Sequence, residues 1–165
     1  MAELLVMRHA KSAWNAAIEN DHERPLAPRG IKAAKLMGRF LTDSGFEPGL
    51  VLTSTAVRSR QTVELAAEAG GWTSSITSTA VFYGGDPGEV VREIVESEPP
   101  DRLLVAGHEP TWSGLVSLLI GGGAIRMPTA AVACLGFPDD RWQDLPLSRG
   151  RLCWLVTPRL LKSAQ

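Results

Sequence analysis

The sequence predicts an α/β fold, a three-layer α/β/α sandwich around a largely parallel central sheet. Short apolar runs alternate with segments of helical periodicity, and this alternation is typical of strands joined by crossover helices. Two of the runs, residues 4–7 and 103–106, are continuously apolar, as expected of strands buried on both faces. Each of them leads into a histidine within a few residues. We therefore expect helices on both faces of one sheet.

The first half of the chain contains two predicted strand–helix pairs. Residues 4–7 form the first strand, and the helix after it begins at Arg29 and ends at Gly45. The apolar residues at helical spacing in this helix are Ile31, Ala34, Leu36, Met37, Phe40 and Leu41. Residues 50–53 form the second strand, and a helix over residues 56–69 follows and ends at a pair of glycines.

The second half continues the same alternation. A serine- and threonine-rich run at residues 76–82 predicts a third strand, and residues 87–96 predict a helix with its valines and isoleucine turned inward. The strand at 103–106 precedes a helix whose first turn contains a proline. Residues 131–137 and 152–156 predict the last two strands. No repeat, low-complexity segment or long linker interrupts this order, so we expect one domain.

The composition limits the classes of partner. Hydrophobic residues make up 44% of the 165 residues and charged residues 21%, and the formal net charge is −1. These values are typical of a globular protein and leave no basic footprint for a nucleic acid. The longest apolar stretch, residues 115–125, contains a glycine triplet and is shorter than the roughly 20 residues that cross a bilayer. We expect neither a nucleic acid nor a membrane as a partner.

The cysteines and the first residues indicate the compartment. Cys134 and Cys153 lie in apolar surroundings without a paired spacing, which predicts reduced core thiols. Glu3 precedes a short apolar run that stops at Arg8, so the start lacks the basic-then-apolar order of a signal peptide. Both observations favour a cytoplasmic protein.

Basic side chains follow three of the predicted strands. Arg8 and His9 end the first strand, Arg58 follows the second, and His108 follows the strand at 103–106. Because ligands of such sheets bind beyond the carboxyl ends of the strands, we expect these side chains to converge. A histidine attacks phosphorus when one ring nitrogen is free and an acceptor holds the other. Arginines bind the phosphoryl oxygens through planar forks, and a second histidine, if protonated, adds a donor.

Neither a metal nor a cofactor is expected. His22 lies between Asp21 and Glu23, but the chain lacks an HExxH motif or a paired Cys/His spacing, so an exposed polar loop is the better interpretation. The glycines at 121–123 lack the lysine and hydroxyl residue of a phosphate-binding P-loop, and we expect them to end a helix.

Three motifs together resemble the histidine phosphatase superfamily, which includes the phosphoglycerate mutases. These are MRHA at residues 7–10, STAVRSRQT at 54–62 and GHEP at 107–110. The stretches LVMRHAKSAWN (5–15) and DHERPLAPRG (21–30), together with a length that leaves no room for a cap insertion, make the chain most similar to the small phosphohistidine phosphatases, the SixA-like group.

The resemblance implies a phosphoglycerate mutase-like fold and a single histidine phosphatase domain over residues 1–165. It further implies that His9 becomes phosphorylated, that Arg8 and Arg58 bind the phosphoryl group, and that His108 completes the pocket. The expected activity is a metal-independent phosphatase whose partner is a phosphorylated protein carrying phosphohistidine. The alternatives are a phosphomonoesterase for a small phosphate compound and a non-catalytic module that binds a phosphoprotein.

The chain departs from the mutase pattern in its middle segment. Mutase-like members carry a proton-donating glutamate there, whereas the matching segment AVFYGGDPGEVV, residues 80–91, has none at that point. Asp86 is the nearest acidic residue and a candidate acid, although the turn around it favours a helix cap. Glu109 and Asp21 are weaker alternatives for this role.

Five residues near the motifs have structural interpretations. Arg60 follows Arg58 by two residues in a helix, so it is expected on the surface, with contact to the substrate as the alternative. Gln61 and Thr62 match the family pattern and are expected to serve helix packing and capping. Trp14 and Trp112 follow the histidine segments closely and either wall the pocket or belong to the core.

Overall fold

The structure is a computed structural model that describes residues 1–14, 17–138, 141–145 and 150–165. These residues form a six-stranded sheet flanked by helices. The strands are β1 (Ala2–Arg8), β2 (Leu50–Ser54), β3 (Ser75–Thr79), β4 (Arg102–Gly107), β5 (Val132–Phe137) and β6 (Arg151–Val156). The helices are α1 (Pro28–Asp43), α2 (Val57–Gly70), α3 (Val81–Gly84), α4 (Pro87–Glu96), α5 (Thr111–Ile120) and α6 (Pro158–Ser163). Short 3₁₀ helices span Asp21–Glu23 and Trp142–Asp144.

The sheet has the strand order β3-β2-β4-β1-β5-β6 and is largely parallel, as predicted. The four strands β3, β2, β4 and β1 run parallel to one another, whereas β5 is antiparallel to β1 and β6 is antiparallel to β5. The reversal occurs because the segment before β5 stays at the edge where β1 ends. There the Ala130 N–H donates to the carbonyls of Arg8 and His9, both at 3.1 Å.

Two apolar clusters sandwich the sheet. Along β1, Leu4 and Val6 belong to the cluster shared with α4 and α5, and Leu5 and Met7 belong to the cluster shared with α1 and α2. Successive side chains of a strand point to opposite faces, so a continuous apolar run is required when both faces are covered. No helix in the described ranges is long and apolar enough to cross a membrane.

Three predictions about individual residues are wrong. The strand predicted at 76–82 ends at Thr79, and Phe82 lies instead in α3, where its ring packs edge-on against Trp112. Ile31 is 37% exposed, because α1 buries the face that carries its small residues and Met37. Cys153 is exposed on the edge strand β6, whereas Cys134 is buried as predicted, and burial raises the pKa of the Cys134 thiol to about 12.

Helices α1 and α2 pack with their backbones in close contact at Gly38. A Cβ atom added at Gly38 would lie 2.1 Å from the carbonyl oxygen of Ala66 and 2.6 Å from its Cα. A carbonyl oxygen in a helix cannot move aside as a flexible side chain does. The glycine is therefore required for the distance between the helices, and α2 carries Arg58 in its first turn.

We expect Gly38→Ala to destabilise the protein by about 2 kcal/mol, although alanine favours an isolated helix by about 1 kcal/mol. The matched control is Gly84→Ala, because a Cβ atom at Gly84 meets nothing within 4 Å. Urea unfolding measures both free energies, and the control is expected to change by no more than about 0.5 kcal/mol. Equal stabilities of the two variants would contradict this account of the α1–α2 contact.

Candidate active site

The parallel pairing of β1 with β4 brings the two predicted histidines together. Arg8 is the register partner of Gly107, and the His9 N–H donates to the Gly107 carbonyl at 3.0 Å. The imidazole rings of His9 and His108 then lie with their centroids 5.1 Å apart. Both side chains are buried, at 8% and 9% exposure.

One ring nitrogen of His9 is held by a backbone carbonyl. Nδ1 lies 2.7 Å from the carbonyl oxygen of Ala10, and a carbonyl only accepts, so Nδ1 carries the proton and Nε2 keeps its lone pair. The Ala10 N–H in turn donates to Thr62 Oγ1 at 3.0 Å, and this hydroxyl donates to the Arg58 carbonyl at 2.6 Å. Thr62 thus fixes the residue that orients the His9 ring.

The environment of His9 keeps its imidazole neutral. Burial lowers the pKa of His9 to about 4, and the nearby charges of Arg58 and Arg8 act in the same direction, against the hydrogen bond to Ala10. At neutral pH the ring is therefore uncharged, which is the form that has a nucleophilic nitrogen.

His108 is held by Ser54 at the end of β2. Its Nε2 lies 2.8 Å from Ser54 Oγ, whereas its buried Nδ1 has no hydrogen-bond partner. Burial lowers the pKa of His108 to about 3, with contributions from His9 and Arg58. The ring is therefore neutral in the free site, and the second histidine does not supply a permanent positive charge.

The two arginines are fixed by the backbone of neighbouring segments. Arg8 donates through Nη1 to the Met127 carbonyl at 3.0 Å, and its buried Nε has no hydrogen-bond partner. Arg58, 7% exposed, donates through Nη1 to the Asp21 carbonyl at 2.8 Å. Donor positions of both guanidinium groups remain for an anion, since each carries five N–H bonds.

Asp21 supplies the counter-charge of the site. Its carboxylate accepts from Arg58 Nη2 at 3.0 Å, from Arg24 Nη1 at 2.9 Å and from the Tyr83 hydroxyl at 3.0 Å. Burial acts to raise the pKa of Asp21, but the hydrogen bonds from Arg24 and Tyr83 and the charge of Arg58 outweigh it and lower the pKa to about 2. Asp21 is therefore ionised at neutral pH and positions Arg58, so it is not available as an acid.

Three polar residues of the site, Tyr83, Arg24 and Ser54, were not predicted from the sequence. Tyr83 lies in α3 and packs edge-on against both His108, at 5.5 Å between ring centroids, and His22, at 4.9 Å. Arg24 stacks on Trp14, with its guanidinium carbon 3.6 Å from the ring centroid. Ser54 alone had a recognisable signal, because it ends a parallel strand at the edge where the histidines lie.

Asp86 caps a helix in this structure. Its side chain accepts from the Glu89 N–H at 2.9 Å, and the Glu89 carboxylate accepts from the Asp86 N–H at 2.8 Å, which is a capping box at the start of α4. Asp86 makes no hydrogen bond or ion pair with the histidines or arginines described above. Glu109 is also occupied, since it accepts from the backbone N–H and the hydroxyl of Ser113.

The remaining candidates divide between surface and core. Arg60 is exposed and donates to the Thr55 carbonyl, as expected of a surface helix residue. Trp14 is 80% exposed, whereas Trp112 is fully buried and belongs to the core. His22 donates to or accepts from Thr55 Oγ1 at 2.9 Å. Within the described ranges, no three His, Cys, Asp or Glu side chains cluster as metal ligands would.

The arrangement suits a small, highly charged anion. Arg8 and Arg58 bring two positive charges to a pocket in which Asp21 is the ionised carboxylate that pairs with one of them. Arg8 Nε and His108 Nδ1 are buried without a hydrogen-bond partner among the described residues, whereas buried polar atoms ordinarily have one. Beside them stands the free Nε2 of a neutral histidine.

Comparisons with known proteins agree with this geometry. A model of the histidine phosphatase superfamily (branch 1) matches residues 4–80. An uncharacterized protein of Mycobacterium tuberculosis is 43% identical over 93% of this chain and 100% of its own length. Phosphohistidine phosphatase SixA of Escherichia coli is 29% identical over 99% of this chain and 98% of its own length.

A solved structure supports the same assignment. The protein histidine phosphatase SixA complexed with tungstate matches with a TM-score of 0.82 at 26% identity, over 96% of this chain and 99% of that one. The match confirms the predicted phosphoglycerate mutase-like α/β fold. The family model, the similarity to the mycobacterial protein and the match to the SixA structure together show the family. This chain belongs to the histidine phosphatase superfamily and to its SixA-like group.

Proposed function

We propose that this protein hydrolyses phosphohistidine in a protein through a phosphoryl intermediate on His9. The observation that carries the proposal is the hydrogen bond from His9 Nδ1 to the Ala10 carbonyl, because it leaves Nε2 unprotonated in a buried, positively charged pocket. If the residue at position 9 only had to bind phosphate, a permanently charged side chain would bind it more strongly than a neutral histidine does. The printed name of the Escherichia coli relative, phosphohistidine phosphatase, supports the substrate class.

In the first step His9 Nε2 attacks the phosphorus atom, and the bond from phosphorus to the substrate's imidazole nitrogen breaks. The leaving imidazole keeps that electron pair and takes a proton from solvent. In the second step water attacks the phosphoryl group on His9, which releases inorganic phosphate and restores Nε2. Arg8 and Arg58 bind the phosphoryl oxygens throughout and stabilise the charge that they carry in the transition state.

His108 acts as an adjustable donor in this scheme. It is neutral in the free site, but a dianionic phosphoryl group nearby raises the pKa of an imidazole. Substrate binding therefore shifts His108 toward its protonated form, which has a second donor position. No metal takes part in the proposed chemistry, and residues 1–165 act as one histidine phosphatase domain.

None of the candidate acids in the described part of the chain is free, which fits a leaving group that needs little help. Asp86 is engaged as a helix cap and Asp21 is held ionised, so neither is placed to protonate a departing oxygen. A sugar alkoxide is strongly basic and requires a positioned acid, which contributes roughly 10²–10⁴-fold to such steps. Imidazole departs readily, because its conjugate acid has a pKa of about 6.5.

We expect His9→Ala to abolish turnover while vanadate binding remains measurable, because Arg8, Arg58 and His108 still supply donors. Arg58→Ala should weaken both. Rapid quench of the wild type in alkaline denaturant during turnover should trap phosphate on His9 that is stable in base and labile in acid. Tight phosphoprotein binding without any trapped phosphate would instead identify a binding module.

We expect phosphohistidine and activated aryl phosphates to be hydrolysed efficiently and alkyl phosphates poorly, by a factor of about 10² or more. Asp86→Asn should change the phosphohistidine rate less than twofold, because asparagine also caps helices. Steady-state kcat/KM on the three substrate classes measures this. A large loss on alkyl phosphates alone in Asp86→Asn would show that Asp86 is the acid.

The depressed pKa of His9 also predicts how stability depends on pH. Between about pH 6.5 and about pH 4, His9 is protonated in the unfolded chain but neutral in the folded protein. The free energy of unfolding therefore falls as the pH is lowered through this range. Between pH 7 and pH 5 this amounts to about 2 kcal/mol, which His9→Gln should remove. Urea unfolding at both pH values measures it, and an unchanged pH dependence in the variant would contradict a neutral His9.

A further inference from the structure

A second concave surface adjoins the active site. It is a groove of about 640 Å³ between the start of α1, the segment before β5, and α6. Five basic side chains line this groove, which we call the basic groove: Lys11, Arg29, Arg126, Arg159 and Lys162. No aspartate or glutamate is among its described lining residues.

The charges of the basic groove lack intramolecular partners. All five side chains are exposed, and none forms an ion pair or side-chain hydrogen bond with a described residue. Some arginines elsewhere in the described part of the chain do pair, as Arg102 does with Glu3 and Arg58 with Asp21. Since the whole chain has a formal net charge of −1, this concentration of positive charge is a local feature. Such a surface attracts an anionic partner.

The groove shares two backbone segments with the phosphoryl site. Lys11 follows His9 by two residues. Arg126 precedes Met127, whose carbonyl accepts from the Arg8 guanidinium, and the same segment reaches Ala130, whose N–H donates to the carbonyls at the end of β1. Lys11 and Arg126 thus lie within two residues of groups that form or contact the phosphoryl site, so the groove is within reach of a protein substrate held at His9.

We propose that the basic groove binds an acidic segment of the phosphorylated protein substrate, an inference that rests on the proposed function. Its cations come from four separate parts of the chain, and the rest of the lining is partly apolar, from Ala33, Pro128 and Pro158, and partly hydroxyl-bearing, from Thr129, Thr157 and Ser163. Spaced charges with apolar surface between them fit a polypeptide whose carboxylates alternate with aliphatic side chains. A nucleic acid strand fits less well, because no aromatic ring lines the described groove for base stacking.

Substrates that differ only in flanking charge test the proposal. The first is a histidine-phosphorylated peptide flanked by glutamates, and the second is the same peptide flanked by glutamines. Wild-type protein should show a KM about tenfold lower for the glutamate peptide, and this preference should shrink steeply as salt rises. The kcat values should agree, since the groove does not touch the phosphoryl group.

The variant Arg159→Glu/Lys162→Glu should lose the preference, while its activity on a small aryl phosphate stays within about twofold. The matched control is Arg39→Glu/Arg92→Glu, which lowers the net charge by the same amount on exposed helix residues outside the groove. This control should keep the preference. If the control loses it equally, or if wild-type protein shows none, the groove is not a docking site and the proposal is overturned.

Direct binding separates this proposal from the proposed function. With vanadate present to fill the phosphoryl site, fluorescein-labelled decaglutamate should bind wild-type protein. It should bind the Arg159→Glu/Lys162→Glu variant at least about tenfold more weakly. This result would stand even if wild-type protein hydrolysed no phosphohistidine, which would refute the proposed function alone. Phosphohistidine hydrolysis without decaglutamate binding would refute the groove alone. Equally tight binding of a thymidine decanucleotide would overturn the assignment to an acidic polypeptide.

Discussion

The pairing of β1 with β4 is the contact on which the rest of the site depends. Its register places Arg8 opposite Gly107, so that the residues following each strand, His9 and His108, leave the sheet side by side. Gly107 leaves space for the Trp112 ring, which lies within 2.4 Å of where a Cβ atom would stand. A side chain at position 107 would therefore collide with this buried aromatic ring.

Burial and charge act together on this pair of rings. Burial favours the neutral form of both histidines, and the neighbouring arginines add to the effect, so the free site holds an unprotonated imidazole nitrogen beside positive charge. Asp21 balances part of that charge without approaching His9 in any hydrogen bond, because Arg58, Arg24 and Tyr83 hold its carboxylate. A phosphoryl dianion would complete the charge balance that the protein leaves open.

In the proposed function, recognition is divided between two surfaces of different chemistry. The phosphoryl pocket is small, buried and built from convergent donors, and it says little about the molecule attached to the phosphorus. The basic groove is wide and exposed, and its cations are spread over elements that the fold brings together around the start of α1. Exposed charges of this kind influence encounter and partner choice more than they influence the chemical step.

The sequence by itself determined the order of the six strands and of α1, α2, α4 and α5, and predicted four residues of the candidate site, because strand periodicity and strand-end position depend on near neighbours along the chain. It did not predict α3 or α6. The cap at Asp86 follows from the same local chemistry. Only the tertiary structure decided which carbonyl holds His9, that Tyr83 meets Asp21, and that cations from Lys11 to Lys162 share one groove. These contacts depend on the path of loops and on how closely helices pack, and both are set by residues far apart in the chain.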